Sequence, residues 1–150
     1  MNIVTQIDED IKSAMRAKDT ARLGVLRMLK SSLKYAAIEH GGASVVLDDV
    51  DAVTVIRKQI KQRQDSIASY EKAERKDLAD SEKAELVVLE SYLPQGLSAE
   101  EITALVQDCI QEAGATMRAQ MGAVMKLVTP RAAGRADGRS LSAEVQKQLA

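Results

Sequence analysis

A chain of 150 residues, 45% of them hydrophobic, has room for one globular domain with a proper core or for two small subdomains. It contains no Trp, no Phe and three Tyr, so its core must come from Leu, Ile, Val, Ala and Met, a set that suits helix-on-helix packing better than a sheet; the expected class is all-α. The net charge of −1 hides an asymmetry: residues 1–113 carry 15 Lys/Arg against 20 Asp/Glu, whereas residues 114–150 carry six against two, and a basic tail of this kind points to an anionic partner.

Thr5, with Asp8 three residues on, reads as the first helix start, and Ile7, Ile11, Ala14 and Met15 form a helical stripe to about Lys18. A second start at Asp19 or Thr20 leads into Leu23, Leu26, Leu29, Leu33 and Ala37 and ends at Gly41-Gly42. Arg22, Arg27, Lys30 and Lys34 lie between those leucines and make the outer face basic. His40 is placed to meet the last carbonyls of this helix, and with no second histidine it does not read as a metal ligand. After a loop from Ala43 to Leu47, Asp48 caps a third helix whose stripe is Val53, Ile56, Ile60, Ile67 and Tyr70. Arg63 interrupts that stripe and is expected to snorkel to water, the alternative being a pair with a carboxylate at a helix junction. The run from Glu71 to Glu85 is dense in both charges, turns near Arg75-Lys76-Asp77 and continues as a helix through Leu86, Leu89 and Leu93; its acids read as a solvated face supported by i,i+4 pairs.

The stretch Tyr92-Leu93-Pro94-Gln95-Gly96-Leu97-Ser98 stops one helix and opens another, because Pro94 cannot continue a helix and Ser98 with Glu101 forms a capping box. The expected organisation is an N-terminal helical subdomain over 1–93, a hinge over 94–98 and a three-helix tail domain over 99–150. In the tail, Ile102, Leu105, Val106, Cys109, Ile110 and Ala113 make one apolar face closed by Gly114. Cys109, the lone cysteine, excludes an internal disulfide and reads as a buried structural thiol. Thr116 is the expected cap of the next helix, in which Met117, Met121 and Met125 recur beside Val124 and Val128 as core filling or, alternatively, as a groove for a partner helix. Thr129-Pro130 is expected to end that helix or begin a short turn, and Asp137 to cap the last one, with Leu141, Val145 and Leu149 on its face. Between them, Arg131, Gly134, Arg135 and Arg139 surround a helix start that could receive a phosphate; the alternative is a loop of solvated arginines, and Asp137 itself opposes an anion there. No Gly-Lys-Ser/Thr is present, so this is not a nucleotide-binding loop.

Met121-Gly122-Ala123-Val124-Met125, Pro130-Arg131 and Gly134-Arg135-Ala136-Asp137-Gly138 resemble the tail signature of the GatB/YqeY family. Leu26-Arg27-Met28-Leu29, Lys61-Gln62-Arg63, Glu71-Lys72-Ala73, Arg75-Lys76-Asp77-Leu78, Tyr92-Leu93-Pro94 and Leu97-Ser98 extend the likeness to its stand-alone, YqeY-like branch over nearly the whole chain. Departures are Glu74, where the family often has Gly, Gly96, and Gln120, where an acid is common. The resemblance implies an N-terminal helical bundle with a small three-helix tail domain. A similar tail ends the B subunit of the tRNA-dependent amidotransferase, a carbon–nitrogen ligase that converts misacylated Glu-tRNA or Asp-tRNA, and helps it hold the tRNA body.

The expected function is therefore an accessory tRNA- or structured-RNA-binding module without the catalytic portion. Phosphate contacts are assigned to Arg118, Lys126, Arg131, Arg135 and Arg139, with Gly134 allowing close backbone approach, and no catalytic residue, metal ligand or cofactor is assigned. Any amidotransferase activity would be attributed by family descent. The alternative is a protein-interaction adaptor that uses the methionine face or the hinge groove. No apolar run approaches the roughly 20 residues of a membrane span, and no leader-like start is seen, so a cytoplasmic protein is expected.

Overall fold

The computed structural model of the chain describes residues 2–42 and 44–150, so Ala43, the first residue of the expected loop, lies outside them. Among the described residues the structure is all-α: α1 (Ile3–Arg16), α2 (Thr20–Gly41), α3 (Asp49–Lys72), α4 (Lys76–Glu90), α5 (Ala99–Ala113), a 3₁₀ turn (Arg118–Gln120), α6 (Met121–Ala132) and α7 (Gly138–Gln148). The chain packs as two compact units, Met1–Leu93 and Pro94–Ala150. No described helix is long and apolar enough to cross a membrane.

In the first unit, α1 begins earlier than the Thr5–Asp8 pair suggested. Asn2 is the cap, accepting from the Thr5 backbone N–H at 2.8 Å, because an Asn side chain is at least as good an acceptor here as a threonine hydroxyl. Asp19 caps α2 through the Arg22 N–H, and Gly42, at φ 111°, closes it. His40 lies exposed in the last turn of α2. Asp48 caps α3 through the Asp51 N–H at 2.9 Å, while Asp49 Oδ1 accepts from the Ile3 N–H at 2.9 Å and joins the starts of α1 and α3. The apolar stripes converge on a core that includes Ile7, Leu26, Leu29, Ile56 and Leu89, all essentially inaccessible.

Arg63 does not snorkel. Its side chain is buried, with Nη1 donating to Glu82 Oε2 at 2.9 Å and to Glu85 Oε2, so α3 and α4 are joined through a buried cation. The acids of the 71–85 run therefore do more than decorate a solvated face, and Lys83 also reaches Glu71 at 2.8 Å across the same hairpin. At the hairpin turn Glu74 holds φ 58°, a left-handed conformation that costs a side-chain-bearing residue about 1 kcal/mol. Glu74→Gly, the residue that the resemblance favours, should raise stability by about 0.5–1 kcal/mol. The readout is an upward shift of the urea midpoint with an unchanged m-value; an unchanged or lower midpoint would mean that Glu74 gains elsewhere what its backbone loses.

In the second unit, Ser98 and Glu101 form the reciprocal capping box, and Gly114 ends α5 at φ 65°. The three helices bury Val106, Cys109, Val124, Val128, Leu141 and Val145. Thr116 does not cap the next element: Gln120 Oε1 reaches back to accept the backbone N–H groups of Thr116 (2.7 Å) and Met117 (3.1 Å). The segment is thereby held as a 3₁₀ turn, which takes Met117 out of the methionine stripe. Met117 is exposed, while Met121 and Met125 pack partly buried against the core. Pro130 does not end α6 either. It sits exposed in the last turn, where few hydrogen bonds remain to be lost, and the stop comes from Ala133 and Gly134 at φ 50° and 77°.

Candidate nucleic-acid interface

The residues assigned to phosphate contact lie on three elements and one loop: Arg118 in the 3₁₀ turn, Lys126 and Arg131 on α6, and Arg139 in the first turn of α7, with Gly134 and Arg135 in the loop between α6 and α7. All five cations are exposed. Packing divides them into two groups by what they already hold.

Arg131 is engaged with α5. Its Nη2 donates to Glu112 Oε2 and its Nη1 lies 3.7 Å from Cys109 Sγ. The Glu112 carboxylate is the chief reason the guanidinium is held even more firmly protonated than usual. Burial pushes the Cys109 thiol up, an effect that the neighbouring Arg131 opposes only in part, so the thiol is neutral and unreactive at physiological pH. Arg135 is engaged with residues 95–97: its Nε donates to the Gln95 carbonyl at 3.0 Å, and its own carbonyl accepts the Leu97 N–H at 2.9 Å. Gly134 supplies the left-handed step that brings Arg135 to that position. The start of α7 carries its own anion, because Asp137 Oδ1 accepts the Ser140 N–H at 2.7 Å.

Arg118, Lys126 and Arg139 form the second group. Among the described residues none of the three has a salt-bridge partner, so their charges face solvent unneutralised. The partners that occupy Arg131 and Arg135, namely Glu112 and Gln95, were not legible in the sequence. They lie 19 and 40 residues away from their arginines, and no helical spacing connects them.

The family model described as "Yqey-like protein" matches residues 4–149. Among curated proteins the chain is similar to the Altered inheritance of mitochondria protein 41, mitochondrial, of Lachancea thermotolerans, with 34% identity over 75% of this chain and 60% of that one. The protein of the same name from Kluyveromyces lactis is 37% identical over 69% of this chain and 56% of its own length. That from Pyrenophora tritici-repentis is 29% identical over 97% and 80% respectively. The chain thus spans less than two thirds of the length of the first two relatives. The expectation of a cytoplasmic protein is overturned by these names, which point to a mitochondrial setting instead. With all but its extreme ends covered by one family model, the chain belongs to the Yqey-like protein family.

Proposed function

We propose that the protein is an accessory module that binds tRNA or another structured RNA through its tail, in the mitochondrial setting that its relatives' names indicate. The observation that carries this reading is the exposure of Arg118, Lys126 and Arg139 without carboxylate partners in a segment of charge +4. Such cations contact phosphates and position an RNA without reading its sequence. Arg131 and Arg135 hold the scaffold and support the interface indirectly. The methionine-face form of the adaptor alternative is weakened because Met121 and Met125 are partly buried against the core and Met117 lies outside their stripe; the hinge-groove form is untouched by this.

The test is binding of the purified protein to bulk tRNA across a salt series. Affinity should fall steeply with salt, and the combined change Arg118→Ala, Lys126→Ala and Arg139→Ala should flatten the logarithmic slope by roughly 2 as counterion release is lost. An unchanged slope in that variant removes these residues from the interface.

A further inference from the structure

The first unit carries a second concentration of positive charge. Residues 20–38 contain Arg22, Arg27, Lys30 and Lys34 and no acid; residues 52–64 contain Arg57, Lys58, Lys61 and Arg63 and again no acid. Several of these are committed inside the unit. Lys30 pairs with Asp8 at 2.7 Å, Arg22 lies 3.9 Å from Asp10, and Arg63 is buried between Glu82 and Glu85. Arg27, Lys34, Lys58 and Lys61 are exposed, and none has a salt-bridge partner among the described residues.

Between α2 and α3 lies an open groove of about 450 Å³. Ser31, Ser32 and Tyr35 line it from α2, and Lys58, Gln59 and Gln62 from α3. Gln59 Nε2 donates to Ser32 Oγ at 3.0 Å, a bond that joins the two walls; the Ser32 hydroxyl itself donates to the Met28 carbonyl at 3.2 Å, so the Gln59 carbonyl is the acceptor that remains. Lys58 lines the groove itself; Arg27 and Lys34 stand one turn before and after Ser31 on the exposed shoulder of α2, where Lys34 also borders a separate cavity with Val4 and Ile7, and Lys61 stands one turn after Lys58 on the exposed shoulder of α3. Among the described residues Glu39 is the only acid lining it. Tyr35 is 73% exposed, whereas Tyr92 is buried and Tyr70 half-buried.

Flanking cations, neutral hydroxyl and amide groups within, and one exposed aromatic ring match the chemistry of a ribonucleotide strand. Phosphates pair with the cations, the 2′-hydroxyl donates to the Gln59 carbonyl, and a base stacks on the ring. An acidic peptide would satisfy the cations and leave the ring without a partner. We infer that the α2–α3 groove is an RNA-binding surface, with Arg27, Lys34, Lys58 and Lys61 on phosphates and Tyr35 under a base. The inference shares its partner class with the tail reading but rests on different residues.

Binding of bulk tRNA to the full chain, with a DNA duplex as comparison, separates the two. The combined change Arg27→Ala, Lys34→Ala, Lys58→Ala and Lys61→Ala, all exposed positions, should leave the helical circular dichroism intact, raise Kd for tRNA at least tenfold and flatten the salt slope. Tyr35→Ala should weaken binding about tenfold, in the range of lost base stacking, and Tyr35→Phe should restore it. If the tail variant loses binding while the groove variants match the parent, the groove is overturned and the tail reading stands; the reverse pattern upholds the groove and sinks the tail. Equal binding of the DNA duplex, or no binding of tRNA by the parent protein, overturns the groove as an RNA site.

Discussion

Replacing Arg63 by alanine should destabilise the unit that contains it by about 3 kcal/mol, the lower end of the cost of breaking a buried ion pair. For a unit of this size that corresponds to a fall of roughly 10 °C or more in Tm. The guanidinium side chain is 8% exposed, whereas the Glu82 and Glu85 side chains keep 23% and 34% of their surface. Truncation therefore strands two like charges that water can reach in part, which keeps the loss below that of a fully buried orphan. Arg63→Met restores the stem's packing and leaves the stranded carboxylates in place, so it should recover only a fraction of the loss. Arg63→Met combined with Glu82→Gln and Glu85→Gln should recover most of it, because the buried Arg63 Nε, which has no hydrogen-bond partner, disappears along with the charges. Urea unfolding of the series is the measurement. A loss within about 0.5 kcal/mol for Arg63→Ala would place the cluster among ordinary surface pairs.

Tyr92 is the second position where a large effect is expected. Its ring is 9% exposed and its hydroxyl donates to Asp10 Oδ2 at 2.6 Å, pinning the chain just after α4 to α1. Tyr92→Ala should cost about 3–4 kcal/mol through the lost aromatic packing. Tyr92→Phe, which deletes only a bond to a carboxylate, should cost about 1.5 kcal/mol. The phenol also makes stability depend on pH. Burial, and secondarily the Asp10 carboxylate, push its ionisation above the usual 10.0. The unfolded phenol ionises near pH 10 while the folded one keeps its proton. Its contribution is thus complete below about pH 10 and declines as the pH rises above that value. Tyr92→Phe should flatten this alkaline decline relative to the parent when unfolding is followed from about pH 9 to 11; parallel profiles would show that the phenol does not titrate differently on folding.

The caps at Asp19, Asp48, Ser98 with Glu101, and Asp137 were legible because each acceptor finds its N–H within three residues, as was the Gly114 stop. Where a competing local acceptor existed the reading slipped. Asn2, not Thr5, accepts the first-turn N–H, and Gln120 reaches backward to the Thr116 N–H, whereas a cap side chain ordinarily accepts from residues that follow it. Pro130 was misread because a proline in a final turn breaks little, and two left-handed residues beyond it carry the stop. Family membership was also legible, since its motifs run through the chain; the compartment was not, because the absence of a leader-like pattern says little about where a protein works.

The sequence by itself determined the all-helical class, most helix ends and the apolar face that each helix buries, because helical periodicity and capping act over about four residues. Only the tertiary structure decided which cations are available to a partner. Arg63 and Arg131 are paired with carboxylates 19 residues away and Arg135 Nε is tied to a carbonyl 40 residues away, while Arg118, Lys126 and Arg139 in the tail, and Arg27, Lys34, Lys58 and Lys61 on α2 and α3, are exposed with no such partner among the described residues. A charge's partner depends on which helix folds against it, and nothing within one turn of an arginine carries that information.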